Sequence, residues 1–141
     1  MKWFFDTSVL IPVFLEDHEH HERSLAAFVR AQKDQACCAA HSLAEVYSVL
    51  TRLPGKHRLS GGQVLFFLEE IEDRLTVVAL DRRAYSSTIE QAAVAGMVGG
   101  ALYDALLARC ALKARAEIIY TWNLELFRRL GPEVARRTKT P

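Results

Sequence analysis

Four short apolar runs set the fold. They lie at residues 2–6 (KWFFD), 36–40 (ACCAA), 75–80 (LTVVAL) and 117–121 (EIIYT), and longer stretches of helical periodicity separate them. Runs this short suit strands better than helices. The 36–40 run is ambiguous by periodicity alone, but its length and the polar His41-Ser42 that follows favour a strand. Strands joined by helix-length crossovers pair in parallel, because the helix carries the chain back to the end where it started. The reading is therefore an α/β domain of three layers, α/β/α, with a mostly parallel central sheet. Neither a repeat nor a linker divides the sequence, so residues 1–141 are read as one domain.

The helices are marked by their start and stop signals. Thr7 or Ser8 is expected to cap a helix through Val9–Leu15. A second helix, at about 19–33, puts Leu25, Phe28 and Val29 on one face. Ser42 is expected to cap the next, which carries Leu43, Glu45, Val46, Tyr47 and Leu50 and stops before Pro54-Gly55. After a turn-forming stretch at 53–62, Ser60 opens a helix through Val64, Phe67, Leu68 and Ile71. A helix over 82–96 turns Ile89, Ala92 and Ala93 inward, and another at about 102–115 holds Asp104 in its first turn. Residues 123–130 suit a short helix and 133–138 an edge strand.

Composition excludes several classes. Half of the residues are hydrophobic, enough for a core, and no apolar run is long enough to span a bilayer. A cytoplasmic protein is expected. Lys plus Arg number 18 against 17 Asp plus Glu, so net charge does not announce a nucleic-acid partner, although steering depends on where charges sit. The three cysteines, Cys37, Cys38 and Cys110, give neither a disulfide framework nor a zinc spacing.

Ligands of parallel sheets gather at the carboxyl ends of the strands. Asp6 ends the first strand, Glu45 opens the helix after the second, and Thr121-Trp122-Asn123 follow the last long strand. Asp104 heads the helix that feeds that strand and reaches the same edge. Converging carboxylates repel one another unless a cation sits among them, and a hard oxygen set without Cys or His suits Mg²⁺ or Mn²⁺. On residue chemistry alone, a simple helix-capping role for these acids stays open.

Four strings carry a family resemblance. Phe5-Asp6-Thr7-Ser8-Val9-Leu10, Ser42-Leu43-Ala44-Glu45-Val46, Tyr103-Asp104-Ala105-Leu106-Leu107-Ala108 and Thr121-Trp122-Asn123-Leu124-Glu125-Leu126-Phe127 occur in the order of the motifs of PIN domains. The chain resembles that family over essentially its whole length, and its size resembles the VapC toxins of toxin–antitoxin pairs. The resemblance implies a metal-dependent endoribonuclease that cleaves RNA phosphodiester bonds with a metal-activated water. It implies Asp6 and Asp104 as ligands of Mg²⁺ (or Mn²⁺) and Glu45 as binding through water or positioning the attacking hydroxide. Thr7, Ser8 and Thr121 would hydrogen-bond the acids or the metal's waters. An antitoxin protein and a second copy of the chain are the implied partners.

One departure stands out. Asn123 occupies the place where many PIN domains carry a fourth acid, which leaves the cluster one charge short and weakens a second metal site; Glu125 is a nearby substitute. This feature favours the alternative reading, a catalytically weak or inactive PIN relative that binds RNA or a partner. A phosphatase-like hydrolase lacks its second acid at residue 8, and no GxxxxGK[ST] loop is present. Arg128, Arg129, Arg136, Arg137 and Lys139 are candidates for RNA phosphates, or else plain solvated charge, as is Lys56-His57-Arg58. His18-Glu19-His20-His21 lacks the spacing of a helical zinc motif and reads as a polar helix start. Trp122 is read as structural support beneath the site, with base stacking the other use. The apolar helices at 43–53 and 64–71 exceed what one core needs and offer surface for the implied partners.

Overall fold

Phe4 and Phe5 are adjacent in the chain and both fully buried, yet they belong to different clusters of apolar side chains. Only an extended segment covered on both faces does this, since successive side chains of a strand point to opposite sides. In the computed structural model, which describes residues 1–141, that segment is β1 (Trp3–Phe5), the centre of a five-stranded sheet. Its companions are β2 (Ala36–Ala39), β3 (Thr76–Val78), β4 (Ile118–Tyr120) and β5 (Thr138–Lys139). The order is β3-β2-β1-β4-β5 and every neighbouring pair is parallel. Cys37 and Cys38 divide between the two faces as Phe4 and Phe5 do.

Four helices cover one face: α1 (Thr7–Val13), α2 (His21–Arg30), α3 (Ala40–Thr51) and α4 (Gly61–Arg74). They bring Val9, Leu10, Phe28, Val46, Leu50 and Ile71 onto Phe5 and Cys38. The other face carries α6 (Ala101–Lys113), α7 (Leu124–Phe127) and α8 (Pro132–Arg137), whose Leu107, Phe127 and Val134 pack with Phe4, Cys37 and Ile119. Between β3 and α6, α5 (Arg82–Val94) packs beside α6. The three-layer expectation holds, with a sheet that is parallel throughout.

Local readings differ from the structure in five places. Asp6 holds the N-terminal cap position of α1, so Thr7 and Ser8 fall inside the helix, and Ala39 holds that of α3, so Ser42 is a buried helical residue. On α2 the buried residues are Ser24, Ala27 and Phe28, while Val29 is 53% exposed. On α5 the inward pair is Thr88 and Ala92, and Ile89 is 46% exposed. Thr88 is tolerated there because its hydroxyl donates to the Ala84 carbonyl one turn back. Finally, most of 133–138 is helical. Gly131 takes a φ of +101°, Pro132 sits at the start with its φ preset, and only Thr138–Lys139 pair with the sheet. Ser60 does cap α4, in a reciprocal capping box with Gln63.

Candidate active site

The strand order creates the site. From β1 the chain passes to β2 on one side, and it later returns to the other side as β4. Where successive connections leave a parallel sheet in opposite directions, a crevice opens at the carboxyl ends of the strands. The residues that follow β1 and β4 at this point are Asp6 and Thr121, and the Asp6 amide donates to the Tyr120 carbonyl at 2.9 Å.

Asp6 sits where a helix cap sits but does not cap. Its side chain accepts from the hydroxyls of Ser8 and Thr121, each at 2.7 Å, and all of this reaches Oδ2. The contrast with Asp81 is instructive: that aspartate precedes α5 and accepts from the Ala84 amide at 2.8 Å, an ordinary capping bond. The two hydroxyls on Asp6 are themselves aimed. The Trp122 amide donates to Ser8 Oγ and the Asn123 amide to Thr121 Oγ1, both at 2.9 Å, which leaves each hydroxyl its proton for the carboxylate. Asp6 is 2% exposed, and its second oxygen, Oδ1, is a buried polar atom without a partner.

Glu45 enters from α3, one and a half turns after β2. Thr7 Oγ1 lies 2.8 Å from Glu45 Oε1 and 2.9 Å from the buried Ser42 Oγ. A carboxylate only accepts, so the single proton of Thr7 goes to Glu45. Asp104 enters from the first turn of α6. Burial pushes its carboxyl up to about 7, and the charges of Asp6 and Glu45 push the same way. Burial raises Asp6 too, with Glu45 adding to the rise and the Ser8 and Thr121 hydroxyls opposing it. The three acids from three separate stretches of chain thus feel one another's charge, and one presents an unused oxygen.

These residues suit a hard divalent cation of limited appetite. The donors are carboxylates, their mutual repulsion favours positive charge, and Oδ1 of Asp6 is free to bind it. No group of three His, Cys, Asp or Glu side chains closes on a single point. Mg²⁺ commonly takes only one or two carboxylates and keeps several waters, so this donor set fits it.

The remaining candidates separate. Asn123 occupies the cap position of α7 without a side-chain capping bond, and it is exposed beside Ser8 and Trp122 at the rim of the acids. Glu125 pairs with Arg129 at 2.6 Å on the surface, so it does not replace a fourth acid. Arg136 and Arg137 bond Glu133 at 2.7 and 2.9 Å, and Arg137 also donates to the Ala116 carbonyl. Arg128 is exposed and has no acidic partner. Trp122 is held by an indole bond to Ser24 Oγ at 2.9 Å and by a face-to-face stack with His20 at 3.7 Å. Two residues not foreseen are Ser42, which reads as a cap in sequence, and Arg52, which shares a recess with Glu45 and has no sequence signal of its own. The cysteines are buried and free, and burial pushes the Cys37 thiol up to about 12.

Known proteins resemble this chain in sequence and in fold. The model of the PIN domain matches residues 3–131. Ribonuclease VapC40 of Mycobacterium tuberculosis is 39% identical over 132 residues, 92% of this chain and 94% of its own. Ribonuclease VapC27 of the same organism is 39% identical over 114 residues, 80% of this chain and 79% of its own. Among solved structures, M. tuberculosis VapC20, described as a sarcin–ricin loop cleaving toxin, superposes with a TM-score of 0.72 at 13% identity, over 89% of this chain and 92% of its own. VapBC2 of Rickettsia felis, bound to a promoter DNA fragment, superposes at 0.67 and 17% identity over 99% and 98%.

Proposed function

Because the chain belongs to the PIN-domain family, we propose that it is a VapC-like endoribonuclease, the toxin of a toxin–antitoxin pair, acting in the cytoplasm on RNA with Mg²⁺ or Mn²⁺. Its kinship with ribonucleases VapC40 and VapC27 supports the reaction class. The observation that carries the metal dependence is the orphaned Oδ1 of Asp6, held rigid by two aimed hydroxyls within reach of two further carboxylate charges.

Asp6 and Asp104 would hold the ion. When bound, it supplies Lewis acidity toward a phosphodiester oxygen and acidifies a nearby water. The chain's own residues do the rest. Ser8 and Thr121 fix the Asp6 carboxylate, so Oδ1 keeps one direction. Thr7 holds Oε1 of Glu45, leaving Oε2 to orient the attacking water and take its proton. Asn123 offers a neutral carbonyl to the same rim. Arg128, exposed and without an acidic partner, and Arg52, which shares a recess with Glu45, would hold RNA phosphates. Partners are an antitoxin and a second copy: Tyr47, Leu65 and Phe66 on α3 and α4 are 42%, 56% and 69% exposed, apolar surface of the kind an amphipathic helix covers.

The test is Asp6→Asn, purified beside the wild type and assayed on single-stranded RNA with Mg²⁺ or Mn²⁺. Cleavage should disappear while the circular dichroism spectrum is unchanged. Wild-type activity in the variant would remove the assignment, and no cleavage by either protein would favour a binding-only relative.

A further inference from the structure

The acids have a recess on the side of the loop between α1 and α2. Its cavity of about 420 Å³ is lined by Ser8, Pro12, His18, His20, Trp122 and Asn123, among others, so it abuts the residues that bracket Asp6. His18 and His20 in this loop and His21 at the start of α2 are held in three different ways. His21 Nδ1 meets the Pro12 carbonyl at 2.8 Å; a carbonyl only accepts, so His21 donates and pins the start of α2 to α1. His20 lies flat on the Trp122 indole, with ring centroids 3.7 Å apart and planes 6° from parallel. His18 Nδ1 accepts from the His20 amide at 3.0 Å, so in its neutral form its proton is on Nε2. That N–H and the side-chain amide of Asn123 find no partner in the protein.

We propose that this recess is a nucleobase subsite, which takes one unpaired base of the RNA next to the scissile phosphate and reads it through His18 Nε2–H and the Asn123 amide. The inference rests on the ribonuclease reading above. Three features select a base over a phosphate. No lysine or arginine lines the recess itself, and the nearby Arg23 is engaged over the Trp122 ring, its guanidinium 5.3 Å from the ring centre, whereas Arg52 lines the recess that holds Glu45. Glu19 lies on the rim, its carboxylate 3.4 Å from His20 Nε2, and repels an anion. The wall is a planar aromatic stack, the surface on which single-stranded RNA bases are read. The stack is also tied to the acids: the Trp122 whose ring carries His20 donates its backbone N–H to Ser8, the residue that holds Asp6. A base seated here therefore sets the distance of its own phosphate from Asp6.

The experiment is cleavage of a single-stranded RNA pool randomised around the cut, with products sequenced, for wild type, His18→Ala and His20→Ala. Wild type should prefer particular bases at one position beside the cut. His18→Ala should lose that preference by about tenfold or more, as expected for a direct base contact, with kcat/KM falling on the preferred base and unchanged on the others. His20→Ala should lower kcat/KM on all bases through the lost stack. An unchanged base profile in both variants overturns the subsite. If the wild type cleaves no RNA, the ribonuclease reading fails separately. The subsite is then judged by ultraviolet cross-linking of 4-thiouridine RNA to the unmutated chain: adducts within residues 18–24 or at Trp122 support it, and their absence overturns it.

Discussion

Asp104→Asn should stabilise the metal-free protein, increasingly so as pH rises. Asp104 titrates near 7 in the fold, against about 4 in an unfolded chain. A carboxyl whose folded pKa is raised contributes its full stability below the unfolded value and loses it as pH climbs through the folded one. The full rise corresponds to at most about 4 kcal/mol, and because Asp104 is only half-buried, solvent screening reduces it to about 1–2 kcal/mol. Asparagine keeps the shape without the charge and also relieves Asp6 and Glu45. In EDTA, urea denaturation should therefore show a gap in favour of the variant that widens by about 1–2 kcal/mol from pH 4 to pH 8. Saturating Mg²⁺ or Mn²⁺ should then reverse the order at pH 8. An ion that binds only the native state adds about 2.7 kcal/mol at a hundredfold excess over its Kd, and the variant has lost a ligand for it. A variant less stable than wild type at pH 8 in EDTA would show that the acids do not repel as argued. A gap unmoved by either cation would show that metal is not what relieves them.

Three further outcomes follow from the same geometry. Thr121→Val removes one of two donors to Asp6 Oδ2 and should weaken metal binding about 10- to 100-fold by calorimetry, with RNA cleavage falling in parallel; unaltered metal affinity would make Thr121 purely structural. Asn123→Asp adds the missing charge at an exposed position, so metal titration should show tighter or additional binding with thermal stability changed by less than about 0.5 kcal/mol. Arg128→Ala should reduce the salt dependence of RNA binding by about one ion, whereas Arg129→Ala, whose charge already pairs with Glu125, should change it less; equal effects would show that the ion pair opens when RNA binds.

The layers and the three acids were legible in the sequence because both are written locally. A short apolar run ending in an acid is a strand meeting the site edge, and Asp6, Glu45 and Asp104 each carry their own string. What local reading misassigned is the cap of two helices, α1 and α3. Thr7, Ser8 and Ser42 read as helix caps because that reading weighs only the neighbouring backbone. Thr7 instead bonds Glu45, 38 residues on, and meets Ser42 at a separation of 35, while Ser8 turns back to Asp6, two residues before it. The inward faces of α2 and α5 were missed for a related reason. Periodicity finds an apolar stripe but not what covers it, so a satisfied Ser24 or Thr88 outcompetes an exposed Val29 or Ile89 for the buried position.

The state of Asp6 also weighs against a relative that only binds. A fully buried carboxylate costs stability unless its oxygens are paired, and two hydroxyls on one oxygen leave the other uncompensated. Glu45 and Asp104 add repulsion. A scaffold needing only a polar anchor would satisfy both oxygens or leave the carboxylate in water, as at the exposed Asp81, which caps α5 through Oδ1. At Asp6, Ser8 and Thr121 are instead spent on holding the unsatisfied oxygen still, with their own orientation fixed by the amides of Trp122 and Asn123. Rigid support around a destabilised group is what ion binding and phosphodiester chemistry require, and it has no return in a fold that does neither. The arrangement around Asp6 therefore supports the proposed first ion, and the missing charge at Asn123 bears only on a second.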